Sequence, residues 1–410
     1  VFPSFSSTWL GYEGAMYKYW QGECSFDEMQ REVGFYESVN TDWFKELMKN
    51  SFSHGHTFNL SGGSAVMNYY TSVGYRKENG NIKGESNDQY TISMQLASNF
   101  GRFAFRGGVN SFVTKKEYVP EDVKVVQYAY FTTRALPLRE QDGSLWYYEK
   151  NIKDDPYIYR DFNILNEMKN SSRDIRASGF TITMNLDGEI TNWLTAMLVG
   201  SYSFNNTTDE VWHGENSFYT KQMRGIIKYN EDKSTIPFGG ELQYENTEKY
   251  AYTIRGQLNA RVYLDRGRLF PLTVTIGGEM SSNQYYGLKQ VYRGYLKERG
   301  KKVIHASHAK YPSYAEWMYT NDEAKGVWTD KLTNIVSAYV TCSYNYKTWI
   351  FNANMRFDTS NRFGSRVNEK VAPIWSLSVR WDAKKQFLGN VDWVDDLALK
   401  GSYGYQGNML

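Results

Sequence analysis

Lys347–Gly364 reads KTWIFNANMRFDTSNRFG. Sorted by parity, its middle separates into two sets. Trp349, Phe351, Ala353, Met355 and Phe357 are apolar. Asn352, Asn354, Arg356 and Asp358 are polar, and Ile350 is the one exception. Side chains alternate across a strand, so this stretch predicts a strand with one oily and one wet face. Alternation alone does not say which face points inward. In a soluble sandwich the oily face is the core; in a membrane barrel it faces lipid.

The same parity recurs along the chain. Trp375, Leu377, Val379 and Trp381 oppose Ser376, Ser378, Arg380 and Asp382. Phe180, Ile182, Met184 and Leu186 oppose Thr181, Thr183, Asn185 and Asp187. Twelve strands are expected, near 54–62, 65–76, 89–100, 102–113, 175–188, 191–205, 249–265, 271–283, 332–347, 348–360, 370–383 and 394–406. Most are longer than the five or six residues usual in soluble folds. They match the roughly 9–11 tilted residues that cross a bilayer. Cys342 falls on an apolar face, where it acts as a small hydrophobe.

The connections alternate in length. Short ones fall near 61–63, 100–102, 187–192, 265–271, 346–348 and, somewhat longer, 384–393. Long ones fall near 77–88, 114–174, 206–248, 284–331 and 361–369. Tight turns at one rim and large loops at the other are the mark of an up-and-down barrel. A Greek-key sandwich would place long connections at both ends. These lengths favour, as the expected fold class, all-β: a transmembrane up-and-down antiparallel β-barrel, with 54–410 as the barrel portion. Residues 1–53 do not alternate. FDEMQREVGFYESV and TDWFKELMKN are each expected to hold a short helix, the second capped by Thr41.

Composition narrows the function. The 410 residues carry 47 basic and 45 acidic side chains. So balanced a charge, with no basic stripe, speaks against nucleic acid as a partner. Cys24 and Cys342, the 2 cysteines, give neither a disulfide framework nor a metal spacing. No apolar run is long enough for a membrane-crossing helix. No nucleotide, hydrolase or zinc motif stands out, and no catalytic residue, metal or cofactor is assigned. His54 and His56 supply two of the three or four ligands a metal needs. The long loops do carry aromatic side chains suited to stacking on sugars or clamping a peptide. Trp146, Tyr147, Tyr148, Trp212, Trp317 and Trp328 are the candidate substrate-binding residues. Asn352, Asn354, Arg356 and Arg380 are the candidate lumen-facing residues.

Several segments resemble the SusC/RagA-type TonB-linked outer-membrane transporters of Bacteroidetes. They are NTDWFKELMKNSFSHGHTFNLSGGSAVMNYYTSVGYRKENGNIKG (40–84), STIPFGGEL (234–242), NANMRFDTSNRFG (352–364), PIWSLSVRWD (373–382) and WVDDLALKGSYGYQGN (393–408). They stand in the family's order across most of 40–408. The resemblance implies a barrel of 22 strands, about twelve of them here, with a plug inside. It implies import of oligosaccharides or oligopeptides across the outer membrane, a SusD-like surface lipoprotein as partner, and drive from the TonB–ExbB–ExbD system through a plug and TonB box outside this chain. On that reading, 1–53 is an extracellular loop region after a first strand, and the chain is part of a longer protein. From the residues alone, a passive porin or a soluble adhesin-like β protein stays open.

Overall fold

The computed structural model describes residues 11–152, 155–224, 233–362, 371–387 and 393–405. The chain runs as a meander. β1 (Ser53–Gly63), β2 (Met67–Asn79), β3 (Ser86–Phe100) and β4 (Phe103–Tyr118) come first. A separate hairpin follows, β5 (Tyr148–Ile152) with β6 (Asp155–Phe162). Then come β7 (Ser171–Thr191), β8 (Leu194–His213), β9 (Gly240–Tyr263) and β10 (Pro271–Leu296). The short β11 (Lys302–Val303) folds back on β10. β12 (Val327–Tyr346), β13 (Trp349–Ser360), β14 (Val371–Asp382) and β15 (Ala398–Tyr405) complete the series. Leaving out β5, β6 and β11, each strand pairs antiparallel with the strand before and after it in sequence. All twelve expected strands are present. Among the described residues, β1 and β15 each pair on one side only.

The two faces are exposed in the opposite sense to a water-soluble sheet. Along β9, apolar Tyr252, Ile254 and Leu258 are exposed, while Thr253, Arg255, Gln257 and Asn259 are partly buried. In β13, Phe351, Met355 and Phe357 lie open and Asp358 is buried. A curved sheet splays side chains on its outer face and crowds them on its inner one. The crowded face here is the polar one. Register carries the open face across the molecule, as in the row Leu96, Gly107, Met184, Gly200, Ile254, Met280 and Val336. Cys342, paired with Ala353, lies on the apolar face as expected.

Tight turns gather at one rim, and aromatics collect beside them. Trp349 stacks on Trp381 with ring centroids 5.4 Å apart. Tyr346 meets Phe270 at 4.9 Å and Tyr344 at 6.2 Å. Phe100 stacks on Phe103 across another turn. Rings with an apolar body and a polar edge suit the boundary between lipid and water.

At the other rim the ladder runs further than alternation suggests. β8 reaches His213 and β10 reaches Leu296, well into the segments read as loops near 206–248 and 284–331. The physical reason is that both faces there meet water, so the period-2 signal fades while backbone pairing continues. At about 3.4 Å per residue and a tilt near 40°, the 26 residues of β10 rise roughly 65 Å, over twice a hydrocarbon core. The connection after β13 falls at 363–370, outside the described residues, as do the first ten residues.

Among the described residues, helices sit in the segments before and between the sheet's strands. α1 (Tyr12–Trp20), α2 (Phe26–Ser38) and α3 (Trp43–Leu47) precede β1. α4 (Val125–Phe131) and α5 (Ile164–Lys169) lie between β4 and β7, and α6 (Phe218–Arg224) between β8 and β9. α7 (Pro312–Thr320) and α8 (Asp322–Lys325) precede β12, and α9 (Ala383–Phe387) precedes β15. α2 starts on a capping box, Ser25 with Glu28. α3 starts on Asp42, whose carboxylate accepts from the Lys45 amide; Thr41 is not the cap. The Thr41 hydroxyl instead donates to the Leu136 carbonyl at 2.6 Å, tying the segment before the barrel to the β4–β7 connection.

Candidate functional site

Two polar sites stand out, one on the inner wall and one at the long-connection rim. The wall site is built by parity. Asn352 donates to the Ser378 hydroxyl and Asn354 to the Ser376 hydroxyl, each at 3.2 Å across β13 and β14. Arg356 donates to Asp358 at 2.7 Å, to the Ser337 hydroxyl at 2.8 Å and to Glu279 at 3.3 Å. Arg255 approaches the same Glu279 at 3.8 Å, and Tyr339 donates to Gln257 at 2.7 Å. Arg380 pairs with Asp396 at 3.7 Å near the tight-turn rim. All four residues read as lumen-facing therefore stand on the crowded polar face. Arg255, Gln257, Thr275, Tyr339, Asn354 and Arg356 line a recess of about 470 Å³ there. Its two cations, Arg255 and Arg356, are paired with Glu279 and Asp358 beside the recess, so it offers hydrogen bonds of both senses and its net field is weakened.

The rim site is dry and tightly tied. Glu241, at the start of β9, is 1% exposed. It accepts from Arg293 of β10 at 2.8 Å, from the Tyr219 hydroxyl at 2.7 Å and from Gln243 at 3.0 Å. A buried carboxylate is tolerated only when paired and hydrogen-bonded in this way. The Arg293 guanidinium lies 4.1 Å from the centre of the Trp317 ring in α7. His213, at the end of β8, stacks on Tyr219 at 3.9 Å. Its Nε2 faces Asp122 at 3.3 Å and its Nδ1 the Ser171 hydroxyl at 3.2 Å. Burial pushes the His213 pKa down, against the opposing pull of Asp122 and Glu241. Burial also pushes the Tyr219 hydroxyl up, reinforced by Glu241. Gly239 (φ 65°) and Gly294 (φ 84°) allow the close crossing of the segment entering β9 with β10: a Cβ on Gly239 would meet the Gly294 carbonyl carbon at 2.8 Å. The site thus joins residues from every large connection between β4 and β12.

The aromatic candidates divide among three settings. Trp146 and Tyr148 pack against a cap core that includes Trp43, Leu47, Tyr128, Phe162, Ile164 and Phe218. Tyr147 is exposed beside them, its hydroxyl donating to Asn166 and its ring facing the Lys221 ammonium at 5.8 Å. Trp212 lies under the Lys297 ammonium at 4.1 Å, with its indole N–H buried and unpartnered. Trp317 packs on a second cluster around Tyr311 and Tyr314 and backs Arg293. Trp328 is 77% exposed at the start of β12. The structure does not bring the six together as one surface. Sequence reasoning missed the Glu241–Arg293 pair, whose partners are 52 residues apart with no local pattern joining them. Among the described residues no group of three or more His, Cys, Asp and Glu side chains is placed to hold a metal.

No family model matches the chain. One stretch is 27% identical over 111 residues to the TonB-dependent receptor SusC of Bacteroides thetaiotaomicron, covering 26% of this chain and 11% of that protein. The fold matches the RagAB peptide importer in its open-open state, with a TM-score of 0.67 at 17% identity over 89% of this chain and 37% of that one. It also matches another structure of the RagAB peptide transporter, with a TM-score of 0.68 at 15% identity over 95% of this chain and 43% of that one. The chain spans less than half the length of each of these proteins.

Proposed function

We propose, taking the wall of a SusC/RagA-type barrel as the premise, that this chain serves active import across the bacterial outer membrane. The observation that carries the reading is the inverted pair of faces. An open apolar band suits lipid, and a crowded hydrogen-bonding face suits a water-filled or plugged lumen. The paired amides, hydroxyls and ion pairs of the wall suit the passage of a polar cargo. The cargo is an oligosaccharide or an oligopeptide, classes that need amide and hydroxyl contacts along a wide path. Exposed Tyr147 is a loop aromatic free to touch it, with Trp146, Tyr148 and Trp317 shaping the rim beside it; Trp328 pairs with Leu288 on the parity of Val336 and so stands on the outer face, away from such a path. A SusD-like lipoprotein closes the mouth, and the TonB–ExbB–ExbD system supplies the drive through a plug.

Uptake of labelled oligopeptides and oligosaccharides by cells carrying or lacking the full-length protein tests this. Uptake of one class should vanish on deletion and also on loss of TonB. Uptake that persists without TonB, together with steady ion conductance of the purified protein in a planar bilayer, would make it a passive porin instead.

A further inference from the structure

The outer face of the first strands carries a charged row directly above the apolar band. Register sets His54, Lys77, Asp88, Lys115 and Arg176 side by side across β1, β2, β3, β4 and β7. One row nearer the tight turns lie Tyr75 and Tyr90, with ring centroids 4.9 Å apart. Below them come Phe58, Val73 and Ile92, then Leu60, Met94 and Val109. All belong to the open face.

The height of the row follows from the strand. β4 begins at Phe103, in the aromatic ring beside the tight turns. At about 3.4 Å per residue and a tilt near 40°, the rise from Phe103 to Lys115 is about 30 Å, the thickness of a hydrocarbon core. The row therefore stands where the headgroups of the long-connection leaflet begin. It holds three cations against one carboxylate. The Lys77 and Lys115 side chains are 38% and 52% exposed, and Arg176 is exposed. Lys77 lies 3.7 Å from Asp88 and Lys115 lies 2.6 Å from Glu117. The next row outward is acidic, with Glu117, Asp174 and Glu210 aligned. Apart from Asp88, cations thus lie on the membrane side and carboxylates on the water side.

We propose that Lys77, Lys115 and Arg176 form a binding surface for the phosphorylated headgroups of lipids in that leaflet. The inference rests on the membrane reading above. Continuity with the lipid-facing band and complementary charge identify the occupant. Arg and Lys hold phosphate by charge-assisted hydrogen bonds. The Tyr75–Tyr90 pair packs against the headgroup's apolar edge, and the carboxylate row repels phosphate from any position further out.

The test uses the full-length protein, stripped of lipid and placed in phosphatidylcholine nanodiscs doped with diphosphoryl lipid A, with bound lipid counted by native mass spectrometry. Lys115→Gln with Arg176→Gln removes two cations from the row. Arg76→Gln with Lys116→Gln removes two of opposite parity at the same height, on the inner face. Bound lipid A should fall about tenfold or more in the first variant and stay within about twofold in the second. Excess inorganic phosphate should not displace it. Equal losses in both variants, or full displacement by phosphate, would overturn the proposal. A protein that stays soluble without detergent would overturn the membrane reading itself, and that outcome is seen before any lipid is counted.

Discussion

In the cap, Trp43 and Leu47 are 3% and 0% exposed, and the rings and aliphatics around them form a dry core. In the wall, Ile254 and Phe351 are 53% and 45% exposed, and the side chains that crowd together are Arg356, Glu279, Asp358 and Ser337. One polypeptide therefore follows opposite rules in two places. The difference lies in the surroundings: water encloses the cap, whereas lipid covers one side of the wall. An apolar side chain goes where water is not, and in the wall that direction is outward.

The sharpest way to break this comparison is to damage each region by its own rule. In the cap and rim, truncation should be costly. Trp43→Ala should destabilise the cap by about 3–5 kcal/mol through a cavity. Arg293→Ala, which strands the buried Glu241, should cost a similar 3–5 kcal/mol. Both are read by urea unfolding in detergent or by hydrogen exchange of the rim segments. In the wall, charge should be costly only on one parity. Phe351→Arg should cost about 2–4 kcal/mol of insertion free energy, while Asn352→Arg should insert normally. A reversed tolerance, measured by folding into vesicles, would place the oily face inside. A finer probe is Asp42→Ala, which removes the α3 cap and should cost about 1 kcal/mol, confined to the cap.

The smallest expected effect is the dependence of the rim on pH. Folded His213 holds its proton less readily than an unfolded histidine, whose ordinary value is 6.5. The unfolded chain thus binds more protons as pH falls below that value, and the rim's stability declines in step. Above it the contribution is complete. Hydrogen exchange near the end of β8 should accelerate on mild acidification, and His213→Asn should flatten that response.

What could be read from the residues follows the same divide. Between the bilayer's two surfaces, lipid on one side and polar groups on the other impose a period of two. Parity therefore located the twelve strands and set Asn352, Asn354, Arg356 and Arg380 on one polar face. Above the membrane that constraint ends. Segments such as TTDEVWH (207–213) and QYENTE (243–248) read as loop, yet they continue β8 and β9. The rim pair Glu241–Arg293 was invisible for a related reason: register between distant strand ends, which no local pattern encodes, brings it together. The helix near 43–47 was legible from the loss of alternation and from a capping residue ahead of it. Its cap was misassigned by one residue because Thr41 and Asp42 are both good capping types, and tertiary contact with Leu136 claimed the first.

The overshoot of β7 to β10 has a topographic consequence. The mouth is the crest of a hydrogen-bonded palisade that stands well clear of the bilayer. An antibody, phage fibre or protease arriving from outside would, among the described residues, meet paired backbone along the flanks of β7 to β10 and unpaired chain at the crest. Limited digestion of intact cells should therefore cut at the tips, within segments such as 214–217 and 304–311, and leave the flanks whole.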